Sequence, residues 1–227
     1  MNGTKKSILL YKKKGTCDSM IQKKDLFQRI DTILMESEKP SVQLNELLND
    51  EIFYEHPFKM LASLKVTEQS SVHHPEGDAW IHTIMVVDEA AKCKDKSTDP
   101  HAFMWAAMLH DIGKPKTTRN RKGKITAYDH DRVGAELARE FLIVFISDRQ
   151  FIERVVALVR WHMQILYVVN DLPFKEVQKM KDEVSIKDIS LLGWCDRMGR
   201  KNSDEFKERN IIETFYTKVT DEYEEIK

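Results

Sequence analysis

The segment from residue 101 to residue 111 is the feature that most constrains the fold of this chain. It reads HAFMWAAMLHD, so apolar side chains fall on every side of a helix rather than on one face. Such a helix is stable only when other elements surround it, and the sequence therefore predicts a central, buried helix here. Gly113 and Pro115 follow directly and are typical signals for the end of a helix.

Apolar residues recur at helical spacing through almost the whole chain, and no convincing set of alternating strands is present. This spacing predicts further helices on both sides of the central one. We place them at residues 24–37, 42–53, 57–66, 79–92, 130–146, 149–163, 173–182, 185–201 and 203 to the C-terminus. The chain is therefore predicted to be all-α and to have no internal repeat.

The predicted helices divide the chain into one main domain and two flanking segments. Residues 1–54 are expected to hold a tail and accessory helices, residues 55–201 the main domain, and residues 202–227 a charged helix. A chain of 227 residues is long enough for one well-buried domain, and 8 Gly and 6 Pro leave little room for long linkers. The lysine-rich start is expected to be a disordered tail, with RNA contact as the alternative.

Composition and charge exclude several classes of function. No stretch approaches the roughly 18 uncharged apolar residues of a membrane helix, and the apolar run near the N-terminus is too short for a signal peptide. Cys17, Cys93 and Cys195 stand at unrelated positions without a CxxC pair, which fits a reducing cytoplasm. The net charge of −1 gives no global attraction to nucleic acid or membrane. We expect a cytoplasmic protein whose affinity for phosphate, if any, is local.

A carboxylate interrupts the apolar face of the helix predicted at residues 185–201. Asp196 lies on the same face as Ile189, Leu192 and Gly193. An unpaired carboxylate on a buried face is costly, so Asp196 needs a cation or strong hydrogen bonds.

Imidazoles and a second carboxylate occupy comparable positions on other helices. Taken singly, each has an ordinary explanation, such as a satisfied core histidine or a polar residue at a helix end. Taken together, they place potential ligands on several independent apolar helices, which favours one buried metal site. The set comprises His82, His110, Asp111 and Asp196, with His130 and His162 at further core-facing or helix-end positions.

The order and local strings of these residues resemble the HD superfamily of metal-dependent phosphohydrolases. The strings HPEGDAWIHT, LHDIGKP and HDRVGA are similar to the HD domain attached to bacterial tRNA nucleotidyltransferases, the CCA-adding enzymes. The resemblance covers roughly residues 57–200 and implies an HD-domain helical bundle with extra N- and C-terminal helices. The preceding 55 or so residues are too few for a nucleotidyltransferase domain, so the resemblance implies the hydrolase part alone and not CCA addition.

The resemblance also implies roles for the candidate ligands. The first four of them would hold one divalent ion, while His130 and His162 would match the extra ligands of the two-metal members, with Asp111 bridging. Mixed imidazole and carboxylate ligands without thiolate suit Mn, Fe, Co, Ni or Zn more than Ca. We expect one or two of these ions, or Mg, and the sequence leaves their identity open.

Basic residues after the His-Asp pair indicate a phosphate-bearing substrate. Lys114 is placed to compensate charge on nonbridging phosphoryl oxygens. The loop from Lys114 to Lys124 contains Lys116 and no acidic residue, so it is either a local phosphate contact or a solvated loop. Arg200 lies one helical turn beyond Asp196 and either reaches a phosphate or pairs with a nearby carboxylate.

Glu76 and Asp78 precede the helix that carries His82. Both are expected to line the mouth of the site, where they would support the ligands or act as acid–base groups. Capping of the helix is an equally good interpretation for Asp78, which stands where that helix begins.

These features lead to three hypotheses for function. The first is a phosphohydrolase that uses metal-activated water to cleave a phosphomonoester or a (cyclic) phosphodiester of a nucleotide or RNA-type substrate, with Asp111 and Lys114 as its catalytic residues. A small nucleotide is favoured over a polymer because the net charge is near zero. The second is an HD-like di-iron oxygenase, and the third is a noncatalytic module that binds a nucleotide or a partner. The flanking helices are candidates for homo-oligomer contacts.

Overall fold

Helices make up nearly all of the regular structure. The computed structural model describes residues 3–224, with side chains from residue 19 to residue 220. In chain order the α-helices are α1 (Gly3–Glu36), α2 (Pro40–Glu46), α3 (Lys59–Ala62), α4 (Ala79–Ala91), α5 (Pro100–Leu109), α6 (Lys114–Thr117), α7 (His130–Leu142), α8 (Arg149–Trp161), α9 (Gln164–Val169), α10 (Val177–Glu183), α11 (Ile186–Met198) and α12 (Glu205–Glu224). Short 3-10 turns lie at Leu47–Asn49, Glu51–Tyr54, Ser63–Val66 and Lys94–Lys96. The predicted all-α class is confirmed.

The central position predicted for the apolar helix is also confirmed. Every residue of α5 from Ala102 to Leu109 is buried, and α1, α4, α8 and α11 pack around this helix. Asp99 caps its first turn by accepting a hydrogen bond from the backbone N–H of Ala102. Because α5 is enclosed on all sides, the two polar residues that follow it emerge inside the protein rather than at its surface.

The N-terminal helix shares this core. The ring of Phe27 stacks on that of Trp105, with 4.8 Å between the ring centroids. Asp31 accepts a hydrogen bond from the indole N–H of Trp105 at 2.7 Å and lies 2.5 Å from Nε2 of His101. A polar anchor and an aromatic stack thus attach α1 to α5.

Several element boundaries differ from the predicted ones. Residues 3–18 continue α1 in place of the predicted tail, and their side chains lie outside the described part. The helices predicted at 42–53 and 57–66 are single short helices extended by 3-10 turns, while α9 was not predicted. Short elements of this kind are held by tertiary packing rather than by a long apolar period, so the pattern of the sequence defines them poorly.

The basic loop contains a two-stranded hairpin that the sequence did not predict. Strands β1 (Arg119–Arg121) and β2 (Lys124–Thr126) pair antiparallel, with Arg121 opposite Lys124. Lys122 and Gly123 form the turn and both have positive φ, 53° and 81°, as a two-residue type I′ turn requires. The strands are short and carry little apolar alternation, so this segment lacks the usual signal of a strand.

Two glycines that closely follow predicted metal ligands in the sequence allow neighbouring elements to approach closely. A Cβ on Gly113 would lie 2.1 Å from the carbonyl oxygen of His130, and one on Gly199 would lie 2.8 Å from Cα of Val86. Glycine at these positions therefore lets the turn after α5 touch the start of α7, and lets the end of α11 touch α4. Among the described helices, none combines the length and the apolar character that a bilayer crossing needs.

Candidate metal centre

All six predicted ligands meet at the C-terminal end of α5. His82 lies in α4, His110 and Asp111 follow α5, His130 opens α7, His162 follows α8, and Asp196 lies in α11. The side chain of Asp196 is 16% exposed, and the other five residues are buried. Residues far apart in the sequence thus form one enclosed cluster of imidazoles and carboxylates.

Asp111 lies in the middle of this cluster. Its Oδ2 is 3.2 Å from Nε2 of His110 and 3.8 Å from Nε2 of His82, while its Oδ1 is 3.5 Å from Nε2 of His130. Although burial alone would raise the pKa of the Asp111 carboxyl, the charges on His110 and Lys114 hold it well below its usual range. Asp111 is therefore an ionised carboxylate that faces imidazoles with both of its oxygens.

Three histidines are oriented in the same way. Nδ1 of His110, His130 and His162 lies 2.8, 2.7 and 2.7 Å from the backbone carbonyl oxygen three residues earlier. A carbonyl can only accept, so each Nδ1 carries the hydrogen. In the neutral ring this leaves a lone pair on Nε2, pointing into the cluster. Such a second hydrogen bond is the usual way in which a protein fixes the tautomer of a metal-binding histidine.

Nε2 of His130 and Nε2 of His162 lie 3.1 Å apart. Burial lowers the pKa of His130 to about 4, and burial together with the neighbouring His110 lowers the pKa of His162. Both rings are therefore neutral near pH 7, and two lone pairs face each other. A shared cation would remove this repulsion, so the donors fit a divalent metal ion.

Among the predicted ligands, two groups of three share a member. Ligand atoms of His82, His110 and Asp111 lie within 4.8 Å of one another, and so do those of Asp111, His130 and His162. Nε2 of His110 is buried and has no hydrogen-bond partner among the described residues. Nitrogen and carboxylate oxygen donors without thiolate suit a first-row transition metal, and the sharing of Asp111 allows for one or two ions.

Glu76 supports the cluster from the loop before α4. Its Oε1 lies 2.9 Å from Nδ1 of His82 and 2.9 Å from Nδ1 of His74. Although burial alone would raise the pKa of Glu76, contacts with these two histidines hold it far below its usual range. Asp78, by contrast, caps α4 by accepting from the backbone N–H of Ile81. The sequence placed Glu76 at the mouth of the site but missed His74, whose only signal was its place in the HPEGD string.

Lys114 and Arg200 each pair with a carboxylate of the cluster. Nζ of Lys114 lies 2.7 Å from Oδ2 of Asp111 and also donates a hydrogen bond to the side chain of Gln69. Nη2 of Arg200 lies 3.3 and 3.2 Å from the two carboxylate oxygens of Asp196. Gln69, in a polar loop, carried no signal in the sequence.

Lys116 lies apart from this cluster. Its side chain is exposed on α6, and none of the ion pairs of the described residues joins it to the centre. Among the described residues, no contact with the cluster therefore supports the predicted role of Lys116 in substrate binding.

Two of the cysteines meet although they are far apart in the chain. Sγ of Cys93 and Sγ of Cys195 lie 3.4 Å apart, and both are free and buried. Cys195 directly precedes Asp196 on α11, so this contact helps to pack the ligand-bearing helix against the end of α4. Cys17 lies outside the described side chains.

An all-helical fold that buries an adjacent His-Asp pair among further imidazoles is the arrangement expected from the resemblance to the HD superfamily. Comparison with known families agrees: residues 79–189 match the family model of the HD domain. This match confirms the resemblance inferred from the motifs.

Curated relatives match part of the chain. The chain is 37% identical over 108 residues to a CC-adding tRNA nucleotidyltransferase of Thermus thermophilus, a match that covers 47% of this chain and 24% of the relative. It is 36% identical over 72 residues to a multifunctional CCA protein of Actinobacillus pleuropneumoniae, covering 32% and 17%. An A-adding tRNA nucleotidyltransferase of Deinococcus radiodurans is 41% identical over 61 residues, covering 26% and 14%. The chain thus spans less than a quarter of the length of these relatives.

Proposed function

We propose that this protein is a metal-dependent phosphohydrolase that cleaves a phosphomonoester or a (cyclic) phosphodiester of a nucleotide or RNA-type substrate. The observation that carries the proposal is the shared position of Asp111 between two pairs of buried imidazoles, with Lys114 beside it. Divalent ions in such a site lower the pKa of bound water, so that a hydroxide nucleophile forms near neutral pH, and they polarise a phosphoryl oxygen.

The protein side chains are positioned for this chemistry in the absence of substrate. His82, His110, Asp111 and Asp196 would hold a first ion, and His130 and His162 would complete a site for a second. Because three of the imidazoles are locked by hydrogen bonds to backbone carbonyls, their Nε2 atoms need little reorganisation to bind a cation. A preformed site of this kind stabilises developing charge at low reorganisation cost.

Lys114 supplies the positive charge that a phosphoryl group requires. Its ammonium is largely buried and is held beside Asp111 by that carboxylate and by Gln69. A fixed cation at this point compensates charge on the nonbridging oxygens of a bound phosphate. An oxygenase substrate without an anionic group would gain nothing from it, and this favours a hydrolase over the di-iron oxygenase.

The names of the curated relatives support a nucleotide or RNA substrate. Two of the three relatives described above are tRNA nucleotidyltransferases according to their names, and the third is named a multifunctional CCA protein. An RNA-type phosphoester is therefore a substrate class that the HD domain of this chain is proposed to recognise.

The proposal is tested by metal-dependent hydrolysis. Chelator-stripped protein is reloaded with Mn, Fe, Co, Ni, Zn or Mg, one at a time, and assayed on chromogenic phosphomonoesters and phosphodiesters and on cyclic nucleotides. We expect turnover with at least one ion and a loss of at least about 100-fold in Asp111→Asn. The matched control is Asp95→Asn, which removes an exposed carboxylate away from the cluster.

Silence with every ion, in protein shown to bind metal, would overturn the proposal. Oxygen uptake by the iron-loaded protein would then identify the oxygenase. Thermal stabilisation by a nucleotide without turnover would identify the noncatalytic module.

A further inference from the structure

The segment between Lys114 and His130 leaves the metal centre and returns to it. At one end Nζ of Lys114 contacts Asp111, and at the other Nε2 of His130 contacts His162. The hairpin of β1 and β2 lies between these two anchors. Short connections therefore anchor both ends of the hairpin to residues of the candidate active site.

The hairpin carries an unbalanced positive charge. Arg119, Arg121, Lys122 and Lys124 are all exposed, and none of them makes an ion pair among the described residues. The sequence has no acidic residue from position 112 to position 128. In a protein with a net charge of −1, this is a local concentration of charge that attracts a polyanion.

Folding of the hairpin does not explain these cations. Arg121 and Lys124 are directly opposed in the antiparallel ladder, and like charges in that position destabilise a strand pair. Several arginines elsewhere on the surface do have a carboxylate partner, as Arg139 has in Glu153 at 2.6 Å. Among the described residues only the ring of Tyr128 offsets this charge, so the cations of the hairpin are open to an external anion.

An exposed aromatic ring accompanies the charge. Tyr128 is 62% exposed and stands two residues before His130. The guanidinium carbon of Arg121 lies 5.5 Å from the centre of the Tyr128 ring, so the hairpin steadies a ring that closely precedes the start of α7. Cations that contact phosphates, combined with an open aromatic face for a base, are the elements of a single-strand nucleic-acid surface.

We propose that the basic hairpin, defined as residues 119–128, binds a single-stranded polynucleotide and holds one of its phosphoesters near the metal centre. The delivery of that phosphoester rests on the proposed hydrolase function, whereas the binding does not. A duplex would hide its bases from Tyr128, and an acidic peptide would have no flat ring to stack on it. Single strands of RNA and DNA share the required chemistry.

The charge of the hairpin sets the expected salt dependence. Each cation that neutralises a phosphate of a single strand contributes roughly 0.7 to the slope of log K against log salt concentration. Four such cations give a slope of about −2.8, and removal of two reduces its magnitude by about 1.4. Stacking on Tyr128 adds a salt-independent part of the affinity.

The test is fluorescence anisotropy of a labelled ten-nucleotide single strand, as RNA and as DNA, with the full chain in the presence of a chelator. The double variant Arg121→Gln/Lys124→Gln should bind at least about tenfold more weakly, with the smaller salt slope. Tyr128→Ala should also lose roughly tenfold, and Tyr128→Phe should keep the affinity. The matched control is Lys207→Gln/Arg209→Gln, which removes two exposed cations from α12.

Because Arg121 and Lys124 repel each other, the double variant should unfold at the same temperature as the wild type or higher. Failure of the wild type to bind either strand, or equal losses in the double variant and the α12 control, would overturn the proposal. Binding of anionic vesicles or an acidic peptide as tightly as the oligonucleotide would also overturn it. Oligonucleotide binding without any hydrolysis keeps this proposal and removes the hydrolase, whereas hydrolysis of small esters without such binding does the reverse.

Discussion

Glu76 controls the orientation of His82, a predicted metal ligand that is completely buried. Substitution Glu76→Gln keeps the size of the side chain but removes the charge that holds Nδ1 of His82. Changes in such supporting carboxylates typically weaken metal affinity 10- to 100-fold. We expect a loss of that size for Mn or Zn, measured by competition with a chromophoric chelator. Glu68→Gln, which alters an exposed carboxylate in the same loop, should leave the affinity unchanged, and equal losses in both variants would contradict the role of Glu76.

Lys114 is expected to act on phosphate and not on metal. Removing one preorganised cation or donor from a polar active site typically lowers turnover about 100- to 1,000-fold. Lys114→Gln should therefore reduce kcat/KM for a phosphoester by that factor while the protein still binds its metal. Steady-state kinetics with Lys59→Gln, at an exposed position on α3, provide the comparison. Full activity in Lys114→Gln would show that this lysine only balances the charge of Asp111.

At the level of elements, the approach of the turn after α5 to α7 depends on Gly113. A Cβ there would lie 2.1 Å from a backbone oxygen, which cannot move aside as a flexible side chain can. Gly113→Ala should lower the free energy of unfolding by roughly 1–3 kcal/mol. It should also weaken metal binding, because Asp111 and His130 are pushed apart.

The control for Gly113 separates packing from backbone strain. Gly123 has a φ of 81° and open space where a Cβ would lie, so Gly123→Ala should cost about 1 kcal/mol from the left-handed backbone alone. It should leave metal affinity intact. Urea unfolding and metal titration of both variants check this, and normal metal affinity in Gly113→Ala would refute the packing argument.

The attachment of α1 to α5 should depend on pH. Asp31 raises the pKa of His101 from its ordinary 6.5 through their hydrogen bond. His101 therefore contributes stability that is fully present below pH 6.5 and is lost as the pH rises through the raised folded pKa. Although burial opposes it, the contact with His101 lowers the pKa of Asp31 from its ordinary 3.8. The Asp31 contribution is present above that value and is lost as the pH falls through the lowered one.

These two dependences define a window between about pH 3.8 and 6.5 in which the pair stabilises the protein most. The difference in unfolding free energy between wild type and His101→Gln should be largest in this window and should shrink above neutral pH. Chemical unfolding at a series of pH values measures it. His73→Gln, at an exposed position, should show no such peak, and a pH-independent difference for His101→Gln would exclude the ion pair.

Across the whole molecule, the sequence predicted the features that follow from long periodic segments and from dense motifs. The burial of α5 follows from its lack of a polar face, and the meeting of six ligands follows from the resemblance to the HD superfamily. The hydrogen bond from Lys114 to Gln69 and the contact between Cys93 and Cys195 depend on how loops and helix ends approach in space. No local pattern encodes such contacts. The hairpin was missed because its strands are polar and owe their pairing to the Lys122-Gly123 turn.

The candidate metal centre joins five helices, so metal binding should stabilise the entire fold. The predicted ligands come from α4, the end of α5, α7, the end of α8 and α11, which lie far apart along the chain. An ion present at a thousand times its dissociation constant adds about 4 kcal/mol of stability. For a protein of this size each kcal/mol raises Tm by roughly 2–4 °C. Chelator-stripped protein should therefore unfold on the order of 10 °C lower than protein reloaded with Mn or Zn.

His162→Ala should reduce this shift and Asp111→Asn should abolish it, because Asp111 belongs to both groups of ligands. An equal shift in wild type and Asp111→Asn would place the bound ion elsewhere on the protein.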